Sequence, residues 1–95
     1  MSQADFEISP ESGTSQAVAV PWEVILWNDP VSLISLVVRV LKKVFHYDQA
    51  KAERLTMQVH NEGKSVVWTG DKEQAAAYCV ALHGYALNAT IQQAQ

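Results

Sequence analysis

A small α+β fold in the order β-α-α-β-α-β follows from three observations on the sequence. Three short runs of strand-forming residues are bounded by turn chemistry, and they alternate with stretches whose apolar residues recur at helical spacing. The chain has only 95 residues, room for a single core beneath one small sheet with helices on one face. Its composition, 48% hydrophobic and 18% charged, is that of a folded domain rather than a disordered chain. The same length excludes a barrel enzyme and a dinucleotide fold with a substrate domain.

Residues 1–20 show neither helical nor strand periodicity, are rich in Ser, Gln, Ala and Glu, and contain Pro10 and Gly13, so a disordered tail is expected there and a folded domain over 21–95. Glu23-Val24-Ile25-Leu26-Trp27 forms the first strand and ends at the breaker Asn28-Asp29-Pro30. Leu33, Val37, Val40, Leu41 and Val44 then share one helical face, broadened by Ile34, Val38 and Phe45 into the stripe of a central helix. Asp29, followed by proline, and Ser32 compete as its N-cap, and Lys42 and Lys43 lie where the helix dipole favours cations.

Asp48 is expected to cap a second helix that buries Ala52, Leu55, Thr56 and Val59 and stops at Gly63. Lys64 to Trp68 is the second strand. Asp71 and Gln74 have capping-box spacing at the start of a third helix, whose inner face is assigned to Ala75, Tyr78, Cys79, Leu82 and Ala86. A short third strand is expected from about Asn88 to Ile91.

Charge and composition remove several function classes. Asp5, Glu7 and Glu11 give residues 1–20 the whole net charge of −3, which leaves seven basic and seven acidic residues in 21–95. A neutral domain without a basic stripe lacks the phosphate attraction that nucleic-acid binding requires. The longest apolar run, Leu33 to Leu41, is interrupted by Ser35 and Arg39 and falls well short of a membrane span. The first residues carry neither the basic region nor the apolar stretch of a secretory signal, so a cytoplasmic protein is expected. Cys79 is the single cysteine and excludes an internal disulfide.

Taken residue by residue, little points to catalysis. His60 lies at a helix end, where touching the last carbonyls is its ordinary role, and its spacing to His46 and His83 fits no metal pair. Cys79 falls on the inner face of the third helix, the usual place of an inert thiol. Asn28-Asp29 is sufficient as turn chemistry alone.

Two longer stretches are more specific. Trp22-Glu23-Val24-Ile25-Leu26-Trp27-Asn28-Asp29, and later Ala52-Glu53-Arg54-Leu55-Thr56-Met57-Gln58-Val59-His60-Asn61-Glu62-Gly63-Lys64, flank a long apolar helix. The arrangement resembles the ClpS family of adaptors, which carry N-degron substrates to a Clp AAA+ unfoldase. The resemblance covers about residues 21–91, and the ending His83-Gly84-Tyr85-Ala86-Leu87-Asn88-Ala89-Thr90 is most similar to actinobacterial members. It implies a three-stranded antiparallel sheet with three helices packed on one face, related in build to the C-terminal domain of the ribosomal stalk.

It also implies a binding protein rather than an enzyme, with no cofactor or metal. The expected ligand is a peptide with a free α-amino group and a bulky hydrophobic first residue. The expected macromolecular partner is the N-terminal domain of a ClpC- or ClpA-like unfoldase of the ClpP protease, with neither nucleic acid nor membrane involved. The family's amine-binding residues match Asn28, Asp29 and His60. That chemistry is coherent, because an ammonium has three donors and needs carboxylate, amide-carbonyl or neutral imidazole acceptors. The side-chain pocket maps onto Ser32, Ile34, Val37, Thr56, Val59 and Leu87, and the unfoldase contact onto Glu73 and Tyr78.

The sequence departs from the family at four of these places. Pro30 stands where many members have a second acid, Ile34 and Thr56 stand where methionines are common, and Tyr78 replaces a lysine. Two other readings stay open beside the adaptor: an unfoldase-docking regulator with weak degron binding, and a small hydrolase using Cys79 and His60. A purely structural module like the stalk domain is a third, and it predicts no peptide binding.

Overall fold

A computed structural model describes residues 19–95. The tail expected over 1–20 therefore lies, except for Ala19 and Val20, outside the described residues. Strand β1 (Trp22–Trp27) is followed by helices α1 (Ile34–Phe45) and α2 (Gln49–Glu62), strand β2 (Lys64–Gly70), helix α3 (Lys72–Gly84) and strand β3 (Ala89–Gln93). β1 is central in a sheet of order β2-β1-β3, antiparallel to both neighbours. The expected α+β order and architecture are those observed.

Three of the helix signals act as expected. Asp48 accepts the Lys51 amide at the start of α2, and Asp71 accepts the Gln74 amide at the start of α3. Gly63 ends α2 at φ 90°, a left-handed conformation in which any side chain is strained, and its amide closes onto the Val59 carbonyl.

Three local expectations are corrected. Neither Asp29 nor Ser32 caps α1: the N-cap is Leu33, which makes no side-chain cap bond. Asp29 is used earlier, in a turn whose i and i+3 positions are Asp29 and Ser32, with Pro30 at i+1; the Ser32 amide bonds the Asp29 carbonyl at 3.0 Å and the Val31 amide bonds Asp29 Oδ1 at 2.9 Å. Ala86 is not on the inner face of α3. The helix ends at Gly84, Ala86 takes φ 61° in the exposed connection, and Leu87 is the residue that turns inward. Finally, β2 extends to Gly70 and β3 begins at Ala89 and reaches Gln93, so both strands run further than their sequence signals.

The core lies between the sheet and the helices. Val24 and Leu26 from β1 and Val67 from β2 meet Leu41, Ala52, Ala75 and Leu82, four residues with no exposure or nearly none among them. A bulge in the β1–β2 pairing opposes Val24 to Trp68 and Ile25 to Val66, leaving Val67 as the extra residue. Its carbonyl is taken by the Tyr47 hydroxyl at 2.7 Å, and both Val67 and Trp68 pack toward the helices. Gly70 is required by this packing, since a Cβ there would collide with the Trp68 indole. Among the described residues no helix is long and apolar enough to cross a membrane.

Candidate functional site

The topology makes one end of β1 a meeting place. β2 starts one residue after the C-cap glycine of α2, and β3 starts shortly after α3, so antiparallel pairing brings both helix ends beside the last residues of β1. Backbone bonds fix the junction: the Asn28 amide donates to the Gly63 carbonyl at 2.9 Å, and the Trp27 amide donates to the Asn88 carbonyl at 2.8 Å. The chain then turns through Pro30 into the N-terminus of α1, which closes the remaining side.

A small cavity of about 20 Å³ is enclosed there. Asn28, Asp29 and His60 line it, as do Ser32, Ile34, Val37, Thr56, Val59 and Leu87. The structure thus brings to one place the nine residues that the family resemblance assigns to the amine site and the side-chain pocket. Leu26, Trp27 and Asn88 line it too. These three were not singled out, because strand periodicity marks Leu26 for the core and says nothing of the β1–β3 junction that positions Asn88.

The cavity is graded in polarity. Val37, Thr56, Val59 and Leu87 are buried and form an apolar floor. Asn28 and His60 are exposed at the mouth, with Asp29 and Ser32 half-buried between. Thr56 belongs to the floor in spite of its hydroxyl, which donates to the Ala52 carbonyl one turn back at 2.7 Å. The polar atom is satisfied by its own helix, so the methyl group is what remains for a ligand. At the mouth, one Asp29 carboxylate oxygen is held by the turn and the other is available as an acceptor.

Glu73 and Tyr78 lie elsewhere. Glu73 is exposed in the first turn of α3. Tyr78 is half-buried, its ring 4.7 Å from Phe45 and 4.9 Å from Trp68 between centroids. Cys79 is also apart from the cavity. The imidazole beside it is His83, not His60, and both side chains donate to the Ala89 carbonyl, Cys79 Sγ from 3.3 Å and His83 Nε2 from 2.7 Å. Burial pushes the Cys79 thiol up, away from the thiolate a nucleophile requires.

Comparison with known proteins bears on the whole folded region. The family model for the ATP-dependent Clp protease adaptor protein ClpS matches residues 19–92. The chain belongs to the ClpS family. It is 43% identical over 83 residues to the ClpS adaptor of Mycobacterium marinum, spanning 87% of this chain and 82% of that one. It is 46% identical over 74 residues to the ClpS adaptor of Streptomyces coelicolor, covering 78% and 77%. Among solved structures it is similar to Agrobacterium tumefaciens ClpS2 bound to L-phenylalaninamide, at 26% identity and a TM-score of 0.73, over 78% of this chain and 96% of that one. The actinobacterial affinity read from the end of α3 agrees with the first two relatives.

Proposed function

We propose that this ClpS-family chain is an N-degron adaptor: it binds a free α-amino group together with a bulky hydrophobic first side chain and presents the bound protein to a Clp AAA+ unfoldase. The observation that carries this is the grading of the cavity, hydrogen-bond acceptors at the mouth and a buried apolar floor behind them. An α-ammonium has three donors for three acceptors: the free oxygen of Asp29, the side-chain carbonyl of Asn28, and His60 when neutral. Its first side chain enters toward Val37, Thr56, Val59 and Leu87, with Ser32 and Ile34 at the edge. The cavity has room for about one water-sized sphere. A large first residue therefore enters by displacing Ile34, which is 41% exposed at the uncapped start of α1. A solved relative bound to L-phenylalaninamide, which joins a free amine to an aromatic side chain, supports this ligand class.

Pro30 changes how the amine site is built. A second carboxylate is missing, but proline fixes the turn that holds Asp29, so one acid is kept in one geometry. Glu73 supplies the contact with a ClpC- or ClpA-type unfoldase, from an exposed position away from the cavity. Tyr78 supports that surface from beneath through its packing on Phe45 and Trp68. Residues 1–20 are the segment the unfoldase engages during handover. The protein acts without catalysis, in the cytoplasm; the placement of Cys79 on a carbonyl, away from His60, speaks against the hydrolase reading.

The test is a pair of labelled peptides beginning Phe-Arg-Ser, one with a free amine and one N-acetylated, titrated with the whole chain. Acetylation removes the charge and most donors, leaving acceptors unpaired at about 1–3 kcal/mol each, so affinity should fall at least tenfold. Equal binding would overturn amine capture, and binding of neither would favour the regulator that docks without gripping degrons.

A further inference from the structure

Beside the cavity at the end of β1 lies a much larger groove of about 970 Å³ between α1 and α2. Ile34 lines both, so the groove opens from the mouth of the cavity. We propose that this groove receives the residues that follow the first in a bound N-degron, and that it selects acidic ones. The proposal rests on the adaptor reading and adds a substrate class to it.

Antiparallel packing of α1 and α2 sets the direction. Ile34 and Met57 lie at the end nearest the cavity, and Lys42 and Gln49 at the other, where Lys42 Nζ donates to Gln49 Oε1 at 2.7 Å. At a helical rise of about 1.5 Å per residue, Arg39 is roughly 7–8 Å and Lys42 roughly 12 Å along α1 from Ile34. An extended peptide advances about 3.3 Å per residue, so a chain anchored by its amine at Asn28, Asp29 and His60 passes these cations with its third to fifth positions.

The chemistry of the groove fits such an occupant. Its lining is mainly apolar, with Val38 buried and Ile34 and Met57 each about 40% exposed, a surface over which backbone and small side chains can pass. Its charge is one-sided, with Arg39, Lys42 and Lys43 against the single carboxylate of Glu53. Glu53 is already engaged, accepting from Gln49 Nε2 at 2.8 Å. Residues 21–95 as a whole balance their charges, so this excess is a local feature that the net charge does not reveal. Acidic side chains at positions three to five would meet the cations at the surface, where the attraction is screened by salt.

The experiment uses the whole chain and three C-terminally labelled peptides read by fluorescence anisotropy: Phe-Gly-Asp-Glu-Asp-Gly-Ser, Phe-Gly-Lys-Arg-Lys-Gly-Ser and Phe-Gly-Ser-Gly-Ser-Gly-Ser. At low ionic strength the acidic peptide should bind about tenfold more tightly than the basic one, with the neutral peptide between them, and the gap should narrow sharply near 1 M salt. The double substitution Arg39→Glu, Lys42→Glu should reverse the order of the acidic and basic peptides. Equal binding of all three would overturn the groove while leaving the adaptor reading intact, and failure of all three would overturn both. A preference for acid that survives the double substitution also overturns it. So does a preference that emerges only when residues 1–18 are removed, for then the groove serves the chain's own Asp5, Glu7 and Glu11.

Discussion

The two ends of α1 are built on opposite principles. At its C-terminus everything is closed: His46 takes a left-handed φ of 61° and returns its amide to the Lys42 carbonyl, and Phe45 stacks on Tyr47 at 5.2 Å and meets Tyr78 at 4.7 Å. Tyr78 carries the cluster on to Trp68, and the Tyr47 hydroxyl fastens it to the bulge of β2. The N-terminus is open by comparison. Leu33 provides no cap, Val31 and Leu33 are 85% and 68% exposed, and the cavity and groove both open beside Ile34. One end of a single helix anchors the fold while the other is left exposed, and both helix capping and aromatic packing make the difference.

The largest expected effect breaks the closed end. Phe45→Ala removes a buried ring from a cluster with three aromatic partners in series, and should cost about 3–5 kcal/mol of stability in denaturant unfolding. Binding of a Phe-initiated peptide by the folded fraction should change little, since Phe45 lies some three turns from Ile34. A large drop in affinity at unchanged stability would mean that the ends are not independent.

An intermediate effect tests the open end. An imidazole accepts a hydrogen bond only while neutral, whereas the α-amine of the ligand is increasingly charged below about pH 8. Peptide affinity should therefore weaken on the acid side of neutrality, where imidazoles take up a proton while the amine is already charged. His60→Ala should reduce affinity at neutral pH by about threefold to tenfold and flatten that acid limb. An acid limb that survives the substitution would remove His60 from the amine site.

How much of this was legible in the sequence follows the same division. Elements defined by their own residues were readable: Asp48, Gly63 and Asp71 each do locally what their chemistry suggests. The start of α1 was not, because two good capping residues stood in line and the Asp29-Pro30 turn consumed both before the helix began. Ala86 was misassigned for a related reason. Helical spacing carried it inward, but the chain had already left the helix and passed the inward place to Leu87. The site residues were readable only through resemblance to a family, since their convergence depends on two strand pairings that no local pattern encodes. The basic groove was hidden differently: Lys42 and Lys43 have a sufficient explanation at a helix C-terminus, and only the packing of α2 alongside shows that they share a concavity with Arg39.

The smallest effect expected is also the most discriminating about the floor of the cavity. Thr56 is 2% exposed and its hydroxyl is bonded to the Ala52 carbonyl, so a ligand meets only its methyl. Thr56→Val keeps that shape and removes one bond to a carbonyl that remains within the helix ladder, at a cost of about 1 kcal/mol or less in stability. It should leave the ranking of Leu, Phe and Trp as first residues unchanged. Thr56→Met instead extends a flexible side chain into a space of about 20 Å³ that cannot hold it without rearrangement. Trp, the largest first residue, should lose most and Leu least, shifting their affinity ratio by about fivefold, near 1 kcal/mol. Dependence on the free amine should persist in both variants, because Asn28, Asp29 and His60 are untouched. If Thr56→Val changes the ranking as much as Thr56→Met, the hydroxyl rather than the methyl faces the ligand. If neither changes it, the first side chain bypasses the floor and lodges nearer Ile34, at the exposed end of α1.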